Sequence, residues 1–98
     1  MDKDELKSRT KKFAHACVKL VVYLPKNKLG SHLHNQLIRS STSVAANYRA
    51  ACIAQSRASF IAKLSIVIEE VDESAFWLEF IKDEDVIEKD KVTDFFNK

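Results

Sequence analysis

Ninety-eight residues suffice for one small domain around one core, and a single Gly and a single Pro exclude both a meander of tight turns and a glycine-cradled phosphate loop. No uncharged apolar run reaches about eighteen residues, and "MDKDELKSRTKK" lacks the apolar centre of a signal peptide, so a cytoplasmic protein is expected. The net charge of +2 conceals an asymmetry: residues 1–63 hold twelve cations against three anions, whereas residues 64–98 hold four against eleven. A basic half of this kind attracts nucleic acid or is matched by the acidic half once helices pack side by side.

With strong helix formers throughout, the chain reads as all-α, a single domain over 1–98. The first helix is predicted over about 4–24, where Leu6, Phe13, Cys17, Leu20 and Leu24 form one helical stripe. Lys7, Arg9, Lys11, Lys12 and Lys19 make this segment the most basic. "PKNKLGS" then breaks the pattern: Pro25 lacks a backbone donor, Gly30 permits positive φ so that the chain can turn there, and Ser31 is the expected cap of the next helix.

The second helix, about 31–54, places Leu33, Leu37, Val44, Tyr48 and Ala51 on one face, with Ser40 or Ser41 filling the missing step. Between Ser40 and Ala46 no side chain exceeds Val, so a neighbouring helix can approach closely and the hydroxyls can bond back to carbonyls of the preceding turn. Ser56 is the expected cap of a third helix over about 57–82. There Ile61, Leu64, Ile68, Val71, Ala75 and Leu78 follow a heptad, Phe60, Val67 and Ile81 widen it, and Trp77 sits at its margin with its indole N–H near a polar partner. "KDEDVIEKD" interrupts the pattern before a short fourth helix, about 88–98, bearing Val92, Phe95 and Phe96. Short connections favour an antiparallel up-down-up-down four-helix bundle.

Few residues offer chemistry. His32 and His34, two apart on a helix, diverge by about 200° and cannot chelate one ion, and His15 lies elsewhere. Cys17 and Cys52 have no CxxC pattern and fall on apolar faces, which suits unpaired thiols in a reducing compartment. Glu69, Glu70, Asp72 and Glu73 lack the His that a bundle metal site requires and read as a solvated acidic edge. No catalytic residue, metal site or cofactor is assigned, and an enzyme is not expected. Centring an antiparallel turn between Gln55 and Ser56 sets Arg39 opposite Asp72 or Glu73 as a structural ion pair. A fourth helix of about 16 Å covers roughly half the groove between the first and third. The uncovered half is expected to hold Leu6, Phe13, Phe60 and Leu64 as an oligomer interface.

The stretch from Gln36 to Ile81, "QLIRSSTSVAANYRAACIAQSRASFIAKLSIVIEEVDESAFWLEFI", resembles the bacterial four-helix bundle family of 23S rRNA intervening-sequence proteins. Its pattern is met by Gln36, Leu37, Arg39, Ser40, Ser43, Val44, Ala46, Asn47, Tyr48 and Arg49. It continues through Ala54, Ser56, Arg57, Phe60, Ile61, Lys63, Leu64, Ser65 and Ile66, then Glu70, Glu73, Trp77, Leu78 and Glu79. The resemblance implies a homopentamer. It is shared with accessory proteins of diversity-generating retroelements, basic pentamers that bind nucleic acid and assist a reverse transcriptase. Three features depart from the pattern: Ala50 replaces the usual Glu, Glu69 a common Lys, and the last residue, Lys98, precedes the family's usual end of the fourth helix.

Two functions follow as expectations. In the first, a non-enzymatic homo-oligomer binds RNA or DNA through Lys11, Lys12, Lys19 and Arg49, multivalency supplying the affinity that one protomer lacks. In the second, a structural oligomer docks a protein partner such as a reverse transcriptase without touching nucleic acid.

Overall fold

The computed structural model describes residues 2–97, which form four α-helices: α1 (Lys3–Val21), α2 (Lys28–Cys52), α3 (Arg57–Glu84) and α4 (Lys89–Phe96). They build an all-α antiparallel four-helix bundle whose Cα trace measures 44 × 25 × 17 Å. The central helix is α2, packed against α1 on one flank and α3 on the other, while the short α4 leans on α1.

Local chemistry sets the helix starts. The carboxylate of Asp2 accepts the amide of Glu5 at 2.8 Å, and the Ser56 hydroxyl accepts the amide of Ser59 at 3.0 Å, each satisfying a donor that the first turn leaves without an intrahelical partner. The cap of α2 is Asn27, accepting from Gly30 N at 2.8 Å, and not Ser31, which lies a full turn inside the helix. Asn27 wins because the chain leaves α1 at Val21 and needs only Val22 to Lys26 to reverse direction. Gly30 consequently has helical φ, and its role is close approach: a Cβ there would lie 1.8 Å from the Pro25 carbonyl oxygen. At the other end α3 stops at Asp85, the one described non-glycine residue in the left-handed region, with φ 53°.

The core falls into two clusters separated by serines. One contains Cys17, Leu20, Val21, Leu24, Leu33, Leu37, Leu78, Ile81 and Ile87, and the other only Val44, Tyr48 and Val67. Between them Ser74 donates to Ser40 Oγ at 2.9 Å across the α2–α3 contact and lies 2.8 Å from the Glu70 carbonyl. The adjacent Ser41 turns to the other flank, where its hydroxyl lies near the Cys17 thiol of α1 and draws its pKa down against the effect of burial. Both Ser40 and Ser41 are fully buried, so the small-residue stretch of α2 serves two close helix contacts at once. Each hydroxyl also reaches a carbonyl of the preceding turn, Leu37 and Ile38 respectively, and no described buried side-chain polar atom lacks a partner.

The heptad expected on α3 does not form its buried face. Leu78 is buried and Leu64 half-buried, but Ile61, Ile68, Val71 and Ala75 are exposed, and the face against α2 is instead Val67, Ser74, Leu78 and Ile81. Apolar residues surround most of this helix, so its pattern does not choose a side, and the fit of Ser74 and Glu70 to α2 does. The interrupting segment before α4 also contributes: Ile87 is 3 % exposed and closes the end of the large cluster. Val92 and Phe95 pack on that cluster, while Lys91 sits 5.1 Å above the Tyr23 ring and Lys82 5.9 Å above Phe96.

Candidate nucleic-acid interface

The four basic residues singled out in the sequence divide between two grooves. Lys11 and Arg49 face each other across the α1–α2 groove, of about 720 Å³, together with Lys7, Ser8, His15 and Thr42. Lys12 and Lys19 line a different groove, of about 1100 Å³, beside Arg9, Phe13, Phe95 and Phe96. Helical geometry explains the division, because Lys11 and Lys12 are neighbours in sequence and point about 100° apart.

In the α1–α2 groove Lys7 and Lys11 are one turn apart on α1, and Thr42, Ala45, Ala46 and Arg49 share one face of α2. Ala14, Ala45 and Ala46 make a shallow floor, so the long cationic side chains stand above it as a rim. No carboxylate lines the groove among the described residues, although Asp4 lies 3.8 Å from the Lys7 ammonium on its exposed outer side. Thr42 donates its hydroxyl to the Ile38 carbonyl at 2.7 Å, which leaves the lysines and Arg49 as the groove's charged donors. The i, i+4 spacing of Lys7 and Lys11 and the i, i+3, i+4, i+7 spacing of the α2 residues were visible signals for this pairing, but only packing brings the two faces together.

Arg39 lies on the opposite flank and belongs to a separate network. Its guanidinium donates to Glu70 at 3.0 Å and to Glu73, while Glu73 also accepts from the Trp77 indole at 3.1 Å. These donors hold the Glu73 carboxyl below the usual carboxylate range, the Arg39 hydrogen bond contributing most. The exposed Asp72 is not among the partners of Arg39, and Glu70, which the turn register alone did not select, is.

Of the expected interface residues, Leu6, Phe13, Phe60 and Leu64 are half-buried, and Leu6, Phe13 and Leu64 pack on the small Val44–Tyr48–Val67 cluster. The larger exposed apolar side chains nearby on α3 are Ile61, Ile68 and Val71, 50, 65 and 46 % exposed. Cys17 and Cys52 are both free thiols, the first buried and the second half-buried. Burial pushes Cys17 up to about 11, opposed in part by the nearby Ser41 hydroxyl. Burial and a hydrogen bond with Cys52 likewise raise the Tyr48 phenol. His32 meets Trp77 edge-on at 5.4 Å, and His34 lies 3.4 Å from the Asn35 side-chain oxygen. No group of three metal-ligating side chains is present among the described residues, and no described helix is long and apolar enough to cross a membrane.

The architecture is that of an all-α four-helix bundle. The chain belongs to the 23S rRNA-intervening sequence protein family, whose pattern it matches over residues 3–98. It is similar to a crystal structure of a protein of unknown function from the S23 ribosomal protein family of Bacteroides thetaiotaomicron, with 34 % identity and a TM-score of 0.84. That alignment covers 99 % of this chain and 87 % of the other. No curated protein matches it.

Proposed function

We propose that this protein is a non-enzymatic, self-associating bundle of the cytoplasm that binds RNA or DNA through the phosphate backbone. The observation carrying this reading is the α1–α2 groove, where Lys7, Lys11 and Arg49 converge over a floor of alanines with no lining carboxylate. Three cations attract a polyanion through its phosphates, contacts that carry no base information, so recognition is indifferent to sequence. Lys12, Lys19 and Arg9 add a second basic strip on α1. Self-association is supported by the exposed Ile61, Ile68 and Val71 on α3, since apolar side chains gathered on one face are costly in water. Repetition of the groove around an assembly, such as the pentamer that the family resemblance implies, multiplies a weak contact into a useful affinity. Two free thiols accord with a reducing compartment.

The test is binding to duplex and structured RNA as salt is varied. Three phosphate contacts per protomer give a log–log slope of about −2 to −3 per engaged groove. Charge reversal of Lys11 and Arg49 together is expected to weaken all sequences alike and to flatten that slope. Binding that ignores both salt and these substitutions overturns the reading. Sedimentation of Ile68→Glu checks the assembly: dissociation to a folded monomer with lowered RNA affinity is the expected result.

A further inference from the structure

We infer that the C-terminal half of α3 carries a second recognition surface, an aromatic patch with an acidic rim that captures an arginine-bearing segment of a protein partner. Phe76, Trp77 and Phe80 form a continuous cluster, with centroids 4.9 Å apart for Phe76 and Trp77, 6.0 Å for Phe76 and Phe80, and 6.3 Å for Trp77 and Phe80. Two of these rings are open to water, Phe76 being 51 % and Phe80 36 % exposed, although the bundle core lies on the adjacent face of the same helix. Single exposed apolar residues are ordinary on a protein surface, but three touching aromatics are not.

The patch is held in shape before any partner arrives. Trp77 is fixed by its indole hydrogen bond to Glu73, Glu73 is in turn fixed by Arg39, and His32 of α2 supports the tryptophan from its edge. Ordering these rings therefore costs a ligand little.

Charge selects the occupant. On the helix surface Asp72, Glu79, Asp83 and Glu84 surround the rings at i±3 and i±4 spacings, with Glu69 two turns before Phe76, all exposed and in no ion pair among the described residues. Such a rim repels phosphates, which sets aside a nucleic acid stacking on the rings and an anionic membrane. A guanidinium satisfies both parts of the surface, lying flat over an aromatic face while its N–H groups reach a carboxylate. This surface is independent of the α1–α2 groove and uses the opposite chemistry, so a polyanion and a cationic protein segment can be held by one chain together.

Trp77 is the only tryptophan, and its fluorescence reports on the patch directly. The probe is a nine-residue oligo-arginine peptide titrated into the full chain, with oligo-lysine and a single-stranded oligonucleotide as comparisons. Expected are a saturable change in Trp77 emission, tighter binding of arginine than lysine, and no comparable change with the oligonucleotide. Phe76→Leu with Phe80→Leu keeps apolar bulk while removing both π faces, and is expected to weaken the peptide roughly five- to thirtyfold. Glu79→Gln with Asp83→Asn is expected to weaken it, whereas Glu88→Gln with Asp90→Asn, an equal charge change beyond α3, is expected to leave it unaltered. Circular dichroism establishes that each variant is folded. Three results overturn the inference: equal affinity in the leucine variant, equal sensitivity to both pairs of charge changes, or Trp77 emission and oligomeric state that change together with protein concentration alone, which assigns the patch to a second copy of the chain.

Discussion

The two ends of the bundle are built to different standards. On one side of the Ser40–Ser74 contact, nine buried side chains from α1, the α1–α2 turn, α2, α3 and the α3–α4 connection form one cluster that includes Leu33 and Leu37, both fully buried. On the other side, three buried residues are completed by the half-buried Leu6, Phe13, Cys52 and Leu64. The first end resembles the interior of a larger protein, and the second is left open where α4, eight residues long, does not reach. Stability is therefore concentrated at the end that contains the α1–α2 turn, while the open end leaves apolar surface uncovered. The serine layer lets both ends exist in one bundle, since it brings the helices close without demanding large side chains.

This contrast can be broken by truncation. Leu37→Ala is expected to cost about 2–5 kcal/mol, because surrounding atoms relax only partly around the cavity, whereas Leu64→Ala should cost less than half as much at the half-buried end. Urea unfolding of both variants at one protein concentration provides the comparison, and equal losses would mean that the open end is packed as tightly as the closed one.

The two thiols sharpen the contrast chemically, since one lies in each cluster. Cys17 is raised to about 11 by burial, so its folded pKa exceeds the ordinary value near 8.5. The native state holds a proton that the unfolded chain releases, so this contribution is full below about pH 8.5 and is lost as pH rises toward 11. A loss of about 3 kcal/mol is the upper bound. It is measured as the difference in alkaline unfolding between the wild-type chain and Cys17→Ala, whose stability should fall less over that range. At pH 8 a small alkylating reagent is expected to modify Cys52 well before Cys17.

Gly30→Ala tests the turn beneath the dense cluster. A methyl group 1.8 Å from the Pro25 carbonyl oxygen forces the backbone of the turn to move, at a cost of about 1–3 kcal/mol by the usual scale of overpacking. A lowered melting temperature with an unchanged helical spectrum is the expected outcome. The smallest effect is a gain: Asp85→Gly relieves a left-handed conformation and should stabilise the chain by less than about 1 kcal/mol, visible as a slight rise in the melting temperature.

Much of this architecture is legible in particular residues. Ser56 marks the start of α3, the Leu33–Leu37–Val44–Tyr48 stripe marks the buried face of α2, and the small side chains from Ser40 announce close helix contacts. The groove cations Lys7, Lys11 and Arg49 were each recognisable as basic surface, but nothing local joins residues 7 and 11 to residue 49. Ser31 and Gly30 misled because a Ser after a Gly is an ordinary helix start, whereas Asn27 captures the free amides earlier.

The sequence by itself determined the number of helices, their polarity along the chain and the separation of basic from acidic halves, because these depend on propensity, capping and composition within a few turns. Only the tertiary structure decided the rotation of α3. Apolar on several faces, that helix could bury its Ile61–Ile68–Val71 side or its Val67–Leu78–Ile81 side at similar hydrophobic gain. The selection came from short-range, directional contacts, the Ser74 hydroxyl on Ser40 and the Arg39 guanidinium on Glu70 and Glu73, which join residues more than thirty positions apart. Burial of apolar area has no direction and a hydrogen bond does, so the pattern of hydrophobic residues gave α3 its helix and the polar contacts gave it its face.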